Sequence, residues 1–279
     1  MLAQQESEGV ENMAETILWQ HDCPGHIETE IIEGIIHVTC FVEEDPLPPP
    51  PATRVTEGLQ VLYDFNEGEG TVVHDRSGVG TELNLLLESE AAVTWLPDGG
   101  LAIDSPTIIS SVDPAGKIAT AAMASNEISV EAWIKPANIT QDGPARIISL
   151  SVDFNHRNFQ LAQTAEIYDV RLRTTETTEN GRPSLATPFG SLTADLTHII
   201  YTRAASGMAR IYVGGESVVG RVVPGVFTNW DEGYRLALAD ELIGSRTWLG
   251  EYHLIAVYSR ALSADEVAQN FRVGPRLTD

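Results

Sequence analysis

The chain is expected to be all-β: two antiparallel sheets packed as a sandwich, closed by one short C-terminal helix and preceded by a small β-hairpin appendage. Three observations predict this. Gly 23 and Pro 15 are spread along the chain, as many short strands joined by tight turns require. Short apolar, β-branched runs recur between Gly, Asp and Asn clusters, and no fixed period of repetition marks a propeller or solenoid. The one sharp helix signature lies near the C-terminus. A length of 279 residues suits a single large sandwich with an appendage, because such sandwiches often exceed two hundred residues.

In order, residues 1–15 carry Gln4, Gln5, Glu6, Ser7, Glu8 and Gly9 without apolar periodicity and predict a disordered acidic leader. Residues 16–45 change character. The run Glu30-Ile-Ile-Glu-Gly-Ile-Ile-His-Val-Thr-Cys-Phe-Val42 is β-branched and contains Gly34, which reads as a hairpin. Pro46-Leu-Pro-Pro-Pro-Pro51 imposes polyproline geometry, so residues 46–57 read as a stiff spacer. The large domain is placed at 58–275, with 276–279 as a tail.

Within that domain Leu59 to Phe65 predicts a strand, followed by turns at Glu67-Gly-Glu-Gly70 and Asp75-Arg-Ser-Gly78. Strands are expected at Thr81 to Leu87, Val93 to Trp95 and Gly99 to Ile103. The Ala-rich stretch Pro114 to Ser125 reads as a loop or a helical turn. Ile128-Ser-Val-Glu-Ala-Trp-Ile-Lys-Pro136 alternates, with Ile128, Val130, Ala132 and Ile134 inward and Ser129, Glu131, Trp133 and Lys135 outward. Further strands are predicted at 146–152, 158–162, 166–174, 198–203, 208–213, 217–222 and 234–238, with Gly214-Gly215 as a primed hairpin turn.

Trp248 to Phe271 reads as a closing strand and a helix. His253, Ile255 and Val257 fall on one face and Leu254, Ala256 and Tyr258 on the other, so both faces are largely apolar, as in a strand buried inside a sandwich. Ser263 and Glu266 form a capping box, Leu262 and Val267 a hydrophobic staple, and Phe271 extends the buried stripe. These residues resemble the end of the laminin-G-like domains, concanavalin-A-type jelly rolls. The resemblance continues upstream: Leu62-Tyr-Asp-Phe-Asn-Glu-Gly and His74-Asp-Arg-Ser-Gly78 look like the opening strand and turn, Ile128 to Pro136 like the tryptophan strand, and His198 to Thr202 with Arg210 to Glu216 like the hairpin pair. Five blocks in order over about residues 58–275 carry it.

Charge narrows the function classes. A net charge of −23 repels phosphate backbones and anionic lipid, which argues against nucleic-acid or membrane-surface partners. Residues 1–57 hold twelve acids against Arg54 alone, the mark of a solvated segment rather than a site. No stretch approaches 18 consecutive apolar residues, so no membrane insertion is expected. The opening Met1-Leu-Ala-Gln-Gln-Glu reads as a trimmed start of an exported chain, placing it outside the cell or at its surface.

Four groups of residues are candidates for chemistry. Cys23 and Cys40 are the only cysteines; a disulfide between them would close a loop of about 18 residues and stabilise the hairpin by about 3 kcal/mol. Zinc held by Cys23, His26, His37 and Cys40 is the second reading and free thiols the third; zinc needs a knuckle in the strand between His37 and Cys40. Glucan hydrolases of this fold resemble one another in an E-x-D-x-x-E strand. Here Glu166 and Asp169 are three apart with no third acid, so no enzyme is expected. The resemblance implies a calcium ion at the sandwich rim, with Asp75, the carbonyls of Ser77 to Gly80 and Asp64 as ligands, although His253 stands where the family often has Asp; a turn cap by Asp75 is the competing reading. Trp133 and Trp230 are the candidate ligand-stacking residues, against burial under rim loops. Asn138-Ile-Thr140 is a glycosylation sequon.

Two functions follow from the resemblance. The chain is a non-catalytic extracellular or cell-surface recognition module, binding a glycan or an extracellular protein through rim loops. Alternatively it is a structural component of a larger surface assembly or filament, with no small-molecule ligand. Fold alone does not choose between them.

Overall fold

The computed structural model describes residues 26–32, 35–41 and 53–276. The chain divides into two compact units, residues 1–50 and 51–279. In the first unit β1 (His26–Ile32) pairs with β2 (Ile35–Phe41) in an unbroken antiparallel register from Ile32↔Ile35 to His26↔Phe41. That is the expected hairpin. The knuckle that zinc would need between His37 and Cys40 is not in the backbone of β2. Cys23 and the leader lie outside the described residues, and so does any partner that Cys23 gives Cys40.

The second unit is a sandwich. Its elements are β3 (Leu59–Tyr63), β4 (Val72–Val73), β5 (Leu85–Leu87), β6 (Val93–Trp95), β7 (Leu101–Ile103), β8 (Ile109–Ser111) and helix α1 (Gly116–Ser125). There follow β9 (Ile128–Pro136), β10 (Ala145–Ser151), β11 (Arg157–Thr164), β12 (Ile167–Leu172), β13 (Leu185–Ala186) and β14 (Thr197–Arg203). The chain closes with β15 (Met208–Val213), β16 (Glu216–Val222), β17 (Arg235–Leu238), β18 (Gly250–Tyr258) and helix α2 (Ala264–Val273). One sheet runs β13-β12-β11-β10-β17-β8-β5-β4; the other runs β16-β15-β14-β9-β18-β7-β6, with β3 also paired to β18.

Alternation sorts the side chains as anticipated except at His253, where a register shift between Tyr252 and Leu254 puts Tyr252 in the main core with Ile255 and Val257 and leaves His253 beside Glu251 at the rim. Ile128, Val130, Ala132 and Ile134 of β9 face Leu150, Phe159, Leu161, Val170 and Leu236 of the opposite sheet in the main core. Ile255 and Val257 of β18 join them, while Leu254, Ala256 and Tyr258 point the other way into a second, smaller core. Buried polar tips bridge the sheets: the Tyr252 hydroxyl donates to Ile147 O at 2.7 Å and accepts from Ala239 N, and Trp248 Nε1 donates to Gln163 Oε1 at 2.9 Å. Gly214 and Gly215 both have positive φ, 61° and 86°, the primed turn that matches the twist of β15 and β16.

Three expectations change. The Ala-rich stretch is a full ten-residue helix, α1, which packs Ile118, Ala119 and Ala122 into the main core and ends at Asn126 with φ 56°. Its small side chains let it approach the sheets closely, something periodicity does not reveal. The spacer is shorter than 46–57, since Arg54 and Val55 are buried in the sandwich. Glu131 and Trp133, placed outward on β9, are also buried, because α2 and residues 54–55 cover that face.

Glu131 is the polar centre of this second core and is 0 % exposed. Its carboxylate accepts from Arg54 Nη1, from Asn270 Nδ2 at 2.8 Å and from the Tyr258 hydroxyl at 3.2 Å, and His198 Nε2 lies 3.0 Å away. Arg54 also donates to Gly274 O, and Asn270 Oδ1 accepts from Val55 N, so one carboxylate ties the entering segment to the closing helix. The capping box of α2 forms as expected, with Ser263 N donating to Glu266 Oε2 at 2.8 Å.

Burial alone would raise the pKa of Glu131, but Arg54 and His198 outweigh it and hold the carboxyl down at about 2. Against the ordinary 4.5 this contributes about 3 kcal/mol of stability, fully present above pH 4.5 and lost as pH falls through about 2. Denaturant titrations stepped through that window are expected to show the loss. Glu131→Gln, which leaves Arg54 buried without its counter-charge, is expected to cost about 3–5 kcal/mol at neutral pH and to flatten the acid limb.

Candidate functional site

Sequence pointed to Trp133, Trp230, Asp75 and Asp64; the structure separates them. Trp133 is 8 % exposed, stacked at 5.8 Å on Phe271 of α2, with the His198 ring tilted against it at 4.9 Å. Phe271, expected to be buried, is 38 % exposed and serves as the lid over Trp133. Trp230 is 6 % exposed, stacked on Phe227 at 4.6 Å, and its Nε1 donates to Arg173 O at 2.7 Å. Neither indole offers a free face to a sugar ring. Both are corrected to packing residues: the loop and helix segments that cover them are distant in sequence.

Asp75 is buried and saturated. Oδ1 accepts from the amides of Leu62 and Ser77 at 3.2 and 3.0 Å, and Oδ2 from Leu83 N at 3.1 Å and Lys117 Nζ at 2.6 Å. Burial would raise its pKa, yet Lys117 and the amides outweigh that and hold it below the ordinary carboxylate value. These partners do not fit a calcium ion at Asp75. Among the described residues no group of three or more His, Cys, Asp or Glu side chains is placed to hold a metal.

Asp64 has a different setting. It follows β3 directly, at a cleft of about 300 Å³ lined by Asp64, Asn66, Asp98, Gly99, Glu251, His253 and Arg276. Three local features build it. Phe65 adopts φ 52°, turning its ring inward onto Tyr252 at 5.4 Å while Asp64 and Asn66 stay at the rim. The Leu96–Gly100 turn closes through Gly99 N to Leu96 O and Leu96 N to Gly100 O, and Gly100 N donates to Phe65 O at 2.9 Å. Gly99 and Gly100 have φ 84° and 117°; a Cβ on Gly99 would collide with Asn66 Oδ1, and one on Gly100 would sit 2.9 Å from His253 Nδ1. The glycines therefore let the amide and the imidazole lie against backbone.

The cleft is rich in acceptors. Asp64 is 8 % exposed; Asn66 Nδ2 donates to its Oδ2 at 3.2 Å, and Arg76 Nε lies 3.9 Å from its buried Oδ1. Glu251 accepts from Lys135 Nζ at 2.9 Å and lies 3.2 Å from His253 Nε2. Burial raises its pKa, but Lys135 and His253 pull it below the ordinary value, so it is ionised at neutral pH. Asn66, Asp98, Glu251 and Arg276 escaped sequence reasoning, since each sits in a different turn or strand; only the Gly99-Gly100 pair signalled a close approach.

The outer face of the sheet that contains β10 and β12, the strand that holds Asp169 and follows Glu166, is filled. Glu241 folds over β10, accepting from Arg146 Nε at 3.0 Å and from Ser151 Oγ, with Arg157 Nη1 at 3.9 Å. Burial and the neighbouring Arg146 push the Arg157 pKa down to about 9. Asp169 lies 3.3 Å from Arg171 Nε, and Glu166 sits in the turn before β12 rather than on the strand. The two acids share no site.

A two-sheet jelly roll with a polar rim cleft is thus the class of domain defined here. A laminin-G family model, described as the concanavalin A-like lectin/glucanases superfamily, matches residues 110–268, and the chain belongs to that family. Its fold is similar to the binding domain of botulinum neurotoxin serotype D/C (12% identity, 78% of this chain, 52% of that chain, TM-score 0.59). It is likewise similar to a botulinum neurotoxin DC binding domain in complex with rat synaptotagmin II (12%, 78% and 52%, TM-score 0.58). A third is a structure from work on type C toxin, whose cell entry depends on two ganglioside molecules (13%, 80% and 53%, TM-score 0.59). The chain spans about half the length of these structures. No curated protein matches it in sequence.

Gly99→Ala is expected to destabilise the domain by more than about 1 kcal/mol, because a side chain must adopt positive φ and displace Asn66. Chemical denaturation and the Asn66 side-chain amide resonances check this; an unshifted amide would show that the turn does not shape the cleft.

Proposed function

We propose that the sandwich is a non-catalytic recognition module that takes a neutral glycan at the rim cleft. The observation that carries this is the surplus of acceptors around one opening: Asn66, Asp98 and Glu251, backed by the buried Asp64, suit a ligand that donates several hydroxyl hydrogens. Apolar Leu96, Pro97 and Leu196 on the walls provide contact for the C–H faces of a sugar. Family membership and the fold shared with toxin binding domains support a binding role over catalysis, as does the filled outer face. An extracellular or cell-surface setting agrees with the exposed sequon, where Asn138 Oδ1 caps its own turn by accepting from Thr140 N at 2.9 Å.

A glycan array probed with the full chain, with hits titrated calorimetrically, tests this. Asn66→Ala and His253→Ala are each expected to weaken a hit about tenfold, the worth of one hydrogen bond of about 1.4 kcal/mol. Binding that survives both variants would move the site elsewhere. An empty array alongside co-purification with a large surface assembly would favour the structural role.

A further inference from the structure

The turn around Asp75 presents a cation site that is occupied from within. Asp75 gathers amides from β3 (Leu62), from its own turn (Ser77) and from the approach to β5 (Leu83), leaving Oδ2 directed also at Lys117. The same Nζ donates to Val79 O at 2.9 Å, and the Lys117 side chain is only 19 % exposed. A carboxylate oxygen and a backbone carbonyl in a turn flanked by Gly78 and Gly80 are the hard oxygen donors that a divalent cation takes. Here an ammonium takes them.

Two features indicate that the lysine is held for this purpose. It lies in the first turn of α1, the end of a helix where positive charge is disfavoured, so the helix gives no reason for it. It is also one of two lysines among 17 basic residues, and its compact point charge lies between two oxygens. We propose that Asp75 and Val79 form a cation site that Lys117 fills, so that this turn, unlike the calcium-bearing rim its sequence resembles, takes no free metal ion.

Thermal unfolding of the full chain, native and Lys117→Met, in chelator and in millimolar calcium chloride, tests this. The native midpoint is expected to be the same in both buffers. Lys117→Met is expected to melt several degrees lower in chelator and to recover part of that loss in calcium. A native midpoint that drops on chelation, or a variant indifferent to calcium, would overturn the proposal. Should Lys117→Met fail to fold, Lys117→Gln, which keeps a donor without the charge, takes its place, and the native response still decides.

Discussion

A carboxylate with no exposure to water governs how this sandwich is closed. β9 and β18 lie in the middle of their sheet, and each carries apolar side chains on both faces, so the face turned away from the main core must be covered too. The cover is α2 with the segment at Arg54 and Val55, and both are fastened to Glu131. A buried charge is tolerated only when its partners are in place. Arg54, His198, Tyr258 and Asn270 come from four separate parts of the chain, so the carboxylate is satisfied only when the ends of the domain are assembled over the sheet. Trp133, His198 and Phe271 stack beside it and exclude water from the ion pair.

The same economy of buried charge shapes the other face and the rim. Glu241 neutralises Arg146 over β10 and fills that surface. Asp75 is neutralised by Lys117 and ties β3, its own turn and the approach to β5 together. At the rim cleft Asp64, Asn66, Asp98 and Glu251 instead gather acceptors from separate turns and strands around one opening.

Strand order along the chain was largely legible. Periodicity placed β9, β14, β15 and β18 to within a residue or two, Gly214-Gly215 announced the β15–β16 turn, and Ser263 with Glu266 announced α2. The helix α1 was less so, because Ala and Gly at Gly116 to Ser125 carry weak amphipathic pattern and are helical through packing against the core. The candidate site was the least legible part. Asp64 was singled out for calcium, yet its neighbours Asn66, Asp98 and Glu251 meet it only through the Phe65 and Gly99-Gly100 conformations.

By itself the sequence determined the class of fold, the alternation that separates two cores along β9 and β18, the cap of α2 and the family kinship, since all of these rest on residues close together in the chain. Only tertiary structure decided that Trp133 and Trp230 are roofed over, that Glu131 is buried and paired, and that Asp75 meets Lys117. Each of those outcomes depends on which distant segment arrives to cover or neutralise a group, and spacing along a strand records which face a side chain takes, not what packs against it.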